Sequence, residues 1–239
     1  MSSNIDIGFI LAAGRGTRMR ELTNICPKPL IQVKGKALID YNVDRLLKAG
    51  IQTIYVNLFY KGEMIRTHLQ KTYPDVDFHF IEDYMPGLET GGGIFQILPE
   101  LTQKAPQGFF VLNSDIILEE TTPSSLERLK QHWIPEQMEV LLLFQPTEML
   151  YPAGQDGNYF LENGLPRRQK PGEQNIPFLF AGTQILHPRA FNEAPKGSFS
   201  LREIYDRAEK RQTLGYVIHQ KRLFHVGTPE AVKIAEEAL

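Results

Sequence analysis

The sequence predicts a single α/β domain built on a doubly wound, mostly parallel sheet with helices on both faces. Two observations predict it. Apolar runs of strand length alternate with amphipathic stretches of helical period over roughly the first 150 residues, the pattern that βαβ units impose. One of those runs, Met138–Phe144, has the continuous apolar character of a central strand covered on both faces. The 239 residues suffice for one large domain with a well-buried core.

In chain order, Ile5–Leu11 reads as the first strand. Ala37–Lys48 reads as a helix, with Leu38, Tyr41, Leu46 and Leu47 on its apolar side and Gly50 as its stop. Thr53–Phe59 is the next strand and Gly62–Lys71 the next helix, followed by strands at Val76–Ile81 and Phe109–Leu112. Beyond Met138–Phe144 the pattern changes. Tyr159–Glu162 and the residues after Gly164 read as a hairpin turning on Asn163-Gly164. Phe178–Leu186 is a long strand. Ser200–Lys210 and Pro229–Leu239 read as helices, with Ser200 and Thr228 as N-caps and Glu203 placed to complete a capping box with Ser200. No repeat, low-complexity tract or long linker interrupts the chain.

Hydrophobic residues at 42% and charged residues at 23% are ordinary for a globular protein. A formal net charge of −2 argues against a nucleic-acid-binding surface. The single cysteine, Cys26, excludes an intramolecular disulfide. No apolar leader precedes the first strand and no apolar run reaches membrane-spanning length. A cytoplasmic protein is the expectation.

The chemistry concentrates where the first strand ends, in Leu11-Ala12-Ala13-Gly14-Arg15-Gly16-Thr17-Arg18-Met19, followed by Pro27-Lys28-Pro29-Leu30. A strand opening into small residues and two glycines lets backbone N–H groups approach an anion. Arg15, Arg18, Arg20 and Lys28 supply charge to neutralise a polyphosphate. The spacing fits neither G-x-G-x-x-G nor a Walker A loop. Asp115 ends a strand after Asn113-Ser114. A carboxylate there either opens an Asx-turn or holds Mg²⁺ at the sheet edge where doubly wound folds bind ligands. Arg167, Arg168 and Lys170 are either a solvated face or a clamp for a phosphate.

The L-A-A-G-x-G-x-R-M loop with its downstream P-K-P-L resembles the sugar-1-phosphate nucleotidyltransferases, which join a nucleoside triphosphate to a sugar 1-phosphate and release pyrophosphate. Leu88-Glu89-Thr90-Gly91-Gly92-Gly93, Leu112-Asn113-Ser114-Asp115 and Val226-Gly227-Thr228-Pro229-Glu230 extend the resemblance over nearly the whole chain. The L-E-T-G-G-G-I-F run and His187-Pro188-Arg189-Ala190-Phe191 are most similar to the N-acetylmuramate-1-phosphate uridylyltransferases of cell-wall sugar recycling.

The resemblance implies a Rossmann-like nucleotidyltransferase fold, with the nucleotide held by residues 1–150 and the sugar phosphate by a lobe at 151–239. It implies catalytic roles for Arg18, Lys28 and Asp115. Leu11, Ala12, Ala13, Gly14, Gly16, Thr17, Arg18 and Gly92 would hold the nucleotide, with Glu82 or a neighbouring backbone group reading the base edge. Glu89, Thr90, Gly91, Asn113, Gly182 and Lys170 would hold the sugar phosphate, with Arg168 as a rival to Lys170. The Leu88–Gly93 segment is expected as a turn beneath the base and sugar. UTP with N-acetylmuramic acid 1-phosphate is the expected pair; guanylyl, thymidylyl or cytidylyl transfer, or a catalytically silent sugar-nucleotide binder, are the alternatives. A monomer or homodimer is expected.

Two positions depart from the family pattern. Glu21 stands where proline is common. His225 stands where relatives carry the aspartate that is the second magnesium ligand, so the metal set would be Asp115 and His225. Imidazole suits Mn²⁺ or Co²⁺ better than Mg²⁺, and these ions are expected to serve at least as well. A structural histidine is the alternative.

Overall fold

The computed structural model describes residues 5–83 and 87–239. Strand β1 (Ile7–Leu11) leads into the glycine loop, a short helix α1 (Leu22–Ile25) and the ribbon β2 (Gln32–Val33) and β3 (Lys36–Ala37). Then come α2 (Leu38–Lys48), β4 (Thr53–Leu58), α3 (Gly62–Thr72), β5 (Asp77–Glu82), α4 (Glu89–Phe95), α5 (Leu98–Lys104), β6 (Phe109–Asn113), β7 (Ile116–Leu118) and α6 (Ser125–His132). The rest of the chain forms β8 (Val140–Pro146), β9 (Leu150–Tyr151), β10 (Tyr159–Glu162), β11 (Leu165–Arg168), β12 (Phe178–Leu186), α7 (Leu201–Lys210), β13 (Leu214–Ile218), β14 (Leu223–His225) and α8 (Pro229–Ala238).

The main sheet runs β11-β10-β12-β6-β1-β4-β5, with β8 pairing β12 and β13 pairing β8. The β6-β1-β4-β5 block and the β8–β13 pair are parallel, whereas β12 is antiparallel to both β6 and β8. Both faces are apolar, and the side chains divide with the strand period of two. Ile10, Ile54, Val56, Phe110, Leu112, Leu141 and Leu143 point to the face covered by α2, α3 and α6. Phe9, Tyr55, Phe109, Val111, Leu142 and Phe144 point to the face covered by α4, α5 and α7. A third, smaller core joins Met19, Ile31, Val33, Leu38, Phe224, Val226 and Ala235. It ties the glycine loop, the P-K-P turn and the strand of His225 into one unit.

Several sequence expectations need correction at their ends. The Met138–Phe144 run becomes a strand only from Val140; Glu139, just before it, bonds through its backbone to Thr213 and His187 at 2.9 Å, and its carboxylate accepts from Thr213 Oγ1 at 3.0 Å. The Leu88–Gly93 segment is the start of helix α4 rather than a turn. The Ser200 hydroxyl accepts from the Arg202 N–H, without the reciprocal Glu203 bond of a capping box; the full box is Ser124 with Glu127 at the start of α6. Thr228 caps α8 by accepting from the Ala231 N–H at 3.2 Å. The Asn163-Gly164 hairpin is present with positive φ at both residues, 51° and 78°.

Candidate active site

A cleft of about 460 Å³ opens at the C-terminal ends of β1, β4 and β6, the edge at which open α/β sheets bind ligands. The Leu11–Arg18 loop forms its floor. Gly16 has φ +64°, and a Cβ there would lie 2.9 Å from Lys28 Cβ. Only glycine allows the loop to turn in the left-handed region while resting on the P-K-P turn. Met19, fully buried, anchors the end of the loop. The Ala12 N–H donates to Asn57 Oδ1 at 2.9 Å, so the end of β4 fixes the start of the loop. Leu11, Ala12, Ala13, Gly14, Gly16, Thr17 and Arg18 all line the cleft.

Lys28 reaches the same cavity from a short turn between two prolines. Its ammonium donates to Asp115 Oδ2 at 2.5 Å, and His225 Nε2 stands 3.6 Å from that same oxygen. Among the described residues Asp115 Oδ1 takes no hydrogen bond. Asp115 sits in the tight connection from β6 to β7, and its carbonyl accepts from the Val226 N–H at 2.9 Å. β7 pairs with β14, with Ile116 opposite His225, so the sheet places the imidazole beside the carboxylate. Burial alone would raise the Asp115 pKa, but the neighbouring His225 imidazole and the hydrogen-bonded Lys28 ammonium outweigh it and hold the carboxyl far below the usual carboxylate range. Arg18 lines the cleft next to Gly227, where a Cβ would lie 3.6 Å from Arg18 Nη1.

Glu89, Thr90 and Asn113 also line the cavity. Glu89 holds a positive φ of 57° without being glycine, backbone strain of the kind that gathers at functional sites. The Thr90 hydroxyl accepts from the Leu201 N–H at 3.0 Å.

Other expected site residues do not reach the cleft. Gly91 and Gly92 donate their N–H groups to the Phe199 carbonyl at 2.9 and 3.2 Å. Added Cβ atoms would run into the Phe199 ring and the Gly197 carbonyl, so these glycines let the start of α7 close on α4. Glu82 turns away to pair with Arg66 at 2.6 Å. Gly182 is buried at the bulge in β12 against Asn113, under the cleft wall rather than in it. Lys170 is exposed beyond β11, the edge strand, and its rival Arg168 is held by Asp206 at 2.5 Å. Glu21 is exposed.

Two polar cleft residues, Asp83 and Asn57, escaped the sequence reading. Asp83 follows β5, with the Gln96 amide at 3.1 Å and that of Asn57 at 3.5 Å. Burial raises its pKa against those hydrogen bonds. Asn57 interrupts an apolar strand at its C-terminal end, a signal that was there to be used.

Among the described residues no cluster of three or more His, Cys, Asp or Glu forms a metal cage. Of the expected metal pair, Asp115 lines the cleft, whereas His225 is outside the lining and stands behind it, 3.6 Å from Asp115 Oδ2. Such a pair fits a divalent ion that draws its remaining ligands from substrate phosphates and water.

The sequence matches the family described as nucleotidyl transferase over residues 7–149, and the chain belongs to that family. Its members generally use a divalent metal, usually Mg²⁺. The N-acetylmuramate alpha-1-phosphate uridylyltransferase of Caulobacter vibrioides is 36% identical over 244 aligned residues, covering 100% of this chain and 98% of that protein. The enzyme of the same name from Neisseria meningitidis is 33% identical over 85% of each chain. A mannose-1-phosphate guanyltransferase of Candida albicans is 26% identical, and 57% of its length is covered. In fold, the chain resembles a UDP-glucose pyrophosphorylase solved with UDP-glucose, with a TM-score of 0.76, 18% identity and 98% of each chain covered. No described helix is long and apolar enough to cross a membrane.

Proposed function

We propose that this cleft joins UTP to N-acetylmuramic acid α-1-phosphate, releasing pyrophosphate, in cytoplasmic recycling of cell-wall sugar by a monomer or homodimer. The observation that carries the reading is the convergence of the Gly14–Arg18 loop, Lys28 and Asp115 on one cavity. The choice of substrate pair draws on likeness along the full chain to one uridylyltransferase and over 85% of the chain to a second, against partial cover of the guanyltransferase.

In this reading a sugar-phosphate oxygen attacks the α-phosphorus in line. The new O–P bond forms as the bond to pyrophosphate breaks, and pyrophosphate leaves with the electron pair. The attacking phosphate is already an anion, so no protein base or covalent intermediate is needed. Catalysis is then positioning and neutralisation of charge. Loop N–H groups and Arg18 hold the triphosphate. Lys28 offsets charge on the transferring phosphoryl group and on the leaving pyrophosphate. Glu89, Thr90 and Asn113 face the sugar side, and the segment after residue 150 encloses that side through α7 and β12. Asp115 and His225 would hold a divalent ion, which would supply Lewis-acid neutralisation of phosphate charge.

The test is pyrophosphate release from UTP, GTP, CTP, ATP and dTTP, each with N-acetylmuramic acid, glucose, mannose and heptose 1-phosphates. UTP with N-acetylmuramic acid 1-phosphate should give the highest kcat/KM. Preference for GTP with mannose 1-phosphate would overturn the substrate choice. No pyrophosphate from any pair would leave a silent sugar-nucleotide binder.

A further inference from the structure

Helix α2 carries an arginine that is unusual in its setting. Arg45 is 7% exposed and makes its hydrogen bonds inside the protein. Its Nε donates to Glu120 Oε1 at 2.7 Å and its Nη2 to Ser125 Oγ at 3.0 Å and Thr183 Oγ1 at 3.2 Å. Its Nη1 donates to Asn42 Oδ1 at 3.0 Å. Glu120 is locked in turn, accepting from the Ser125 N–H and hydroxyl, both at 2.7 Å. Asn42, Ser125 and Thr183 are fully buried.

Buried ion pairs are poor stabilisers compared with apolar side chains of similar size, because desolvation offsets their attraction. What such a network supplies, when every member is satisfied, is a fixed geometry. Here the fixed geometry ends on the Asp115 turn. With its oxygen held by Arg45, the Asn42 amide has one orientation, and Nδ2 donates to the Asn113 carbonyl at 3.1 Å and the Ile116 carbonyl at 3.5 Å. Those two carbonyls bracket Asp115. One buried side chain thus spans the turn that carries the carboxylate, drawing on helices α2 and α6 and strand β12 for its rigidity.

We infer that Asn42, oriented by Arg45, is a positioning residue for Asp115: it clamps the β6–β7 turn so that the carboxylate faces Lys28 and His225, where it would hold the divalent ion. The inference rests on the proposed metal-dependent transfer, in which Asp115 holds that ion. Asn42 touches neither substrate nor metal; it acts through the backbone on either side of Asp115. Residues that orient a metal ligand typically change metal affinity or activity by ~10- to 100-fold when replaced.

Four proteins make the test: wild type, Asp115→Asn, Asn42→Leu and Thr183→Val. Leucine keeps the branched four-atom skeleton of asparagine, though it is bulkier, and can neither donate to the turn nor accept from Arg45. Valine matches threonine and removes only one anchor of Arg45. The readouts are Mn²⁺ affinity in the presence of UTP, from the electron paramagnetic resonance signal of free Mn²⁺, the rate of pyrophosphate release, and thermal unfolding. Asp115→Asn should lose Mn²⁺ binding. Asn42→Leu should weaken Mn²⁺ binding about 10-fold or more and lower kcat, with the KM for UTP changed less than threefold. Thr183→Val should move Mn²⁺ affinity and kcat in the same direction by a smaller factor, and it carries the test if Asn42→Leu does not fold. If Asp115→Asn loses the metal while a folded Asn42→Leu and Thr183→Val bind it as wild type does, the positioning role is overturned and the metal assignment stands. If Asp115→Asn binds Mn²⁺ as wild type does, the metal assignment falls and the positioning role falls with it.

Discussion

Replacing Lys28 with alanine removes the cleft cation that touches Asp115 and leaves its surroundings in place. The backbone at Lys28 is set by Pro27 and the buried Pro29 rather than by the lysine side chain. Alanine also keeps the Cβ that rests against Gly16. The loss is therefore the side chain beyond Cβ: three methylenes and the ammonium, of which the ammonium carries the charge. That ammonium lies 2.5 Å from Asp115 and its side chain is 12% exposed, so it acts where water screens little. Removing one such preorganised group aimed at developing charge costs ~3 kcal/mol of transition-state stabilisation, equivalent to a fall in kcat/KM of about 100-fold or more. The fall should appear mainly in kcat, because the charge it meets builds up as pyrophosphate leaves. The assay is steady-state pyrophosphate release at saturating metal, with thermal unfolding as the control for folding. A folded Lys28→Ala variant with kcat/KM within threefold of wild type would refute the assignment of Lys28 to the reacting phosphates.

Arg18→Ala should also lower kcat/KM by about 100-fold, with a larger share in the KM for the nucleotide, since a triphosphate contact is made before the transition state; equal kinetics in a nucleotide titration would remove Arg18 from the site. Gly16→Ala should lower activity and thermal stability together, because φ of +64° and a 2.9 Å approach to Lys28 Cβ leave no relaxed place for a methyl group, whereas Gly14→Ala, with nothing within 4 Å of its Cβ, should not lower stability; unfolding scans of the pair decide it. His225→Asp should shift metal preference towards Mg²⁺ relative to Mn²⁺ and Co²⁺, measured as activity against metal concentration; an unchanged ratio would make His225 structural. Stability should fall in acid through His219, which is fully buried and whose pKa burial lowers to about 4. The unfolded chain takes up a proton at this residue near pH ~6.5 that the folded chain refuses. The contribution is therefore complete above that pH and is lost as pH falls towards 4, by about 3 kcal/mol in all. Urea unfolding at several pH values should show this slope, and a folded His219→Leu variant should flatten it; an equal slope in both would place the titration elsewhere.

The fold class and the glycine loop at the cleft were legible in the sequence because both rest on local rules. Strands with two apolar faces and amphipathic helices show their period directly, and a glycine loop closed by P-K-P is visible in adjacent residues. The Asn163-Gly164 hairpin and the Thr228 cap were legible for the same reason, as turn and cap chemistry depend on neighbouring residues. What depends on distant parts of the chain was decided only by the tertiary structure. Gly91 and Gly92 look like a ligand-facing turn until Phe199, more than 100 residues later, occupies their N–H groups. Glu82 and Asp83 are adjacent carboxylates, and only the pairing of Glu82 with Arg66 shows that Asp83 is the one facing the cleft. Lys170 and Arg168 form a basic cluster on paper, but the strand order puts them at the far edge of the sheet, where Asp206 takes the arginine. Asn42 gave no local signal, since a polar residue in an amphipathic helix usually faces water. The proposed metal pair shows both sides of the division. The position of Asp115 at a strand end was legible in the sequence and His225 stood out only through the family resemblance, but the pairing of β7 with β14 brought them together, because register between strands far apart in the chain is set by packing of the whole sheet rather than by either strand alone.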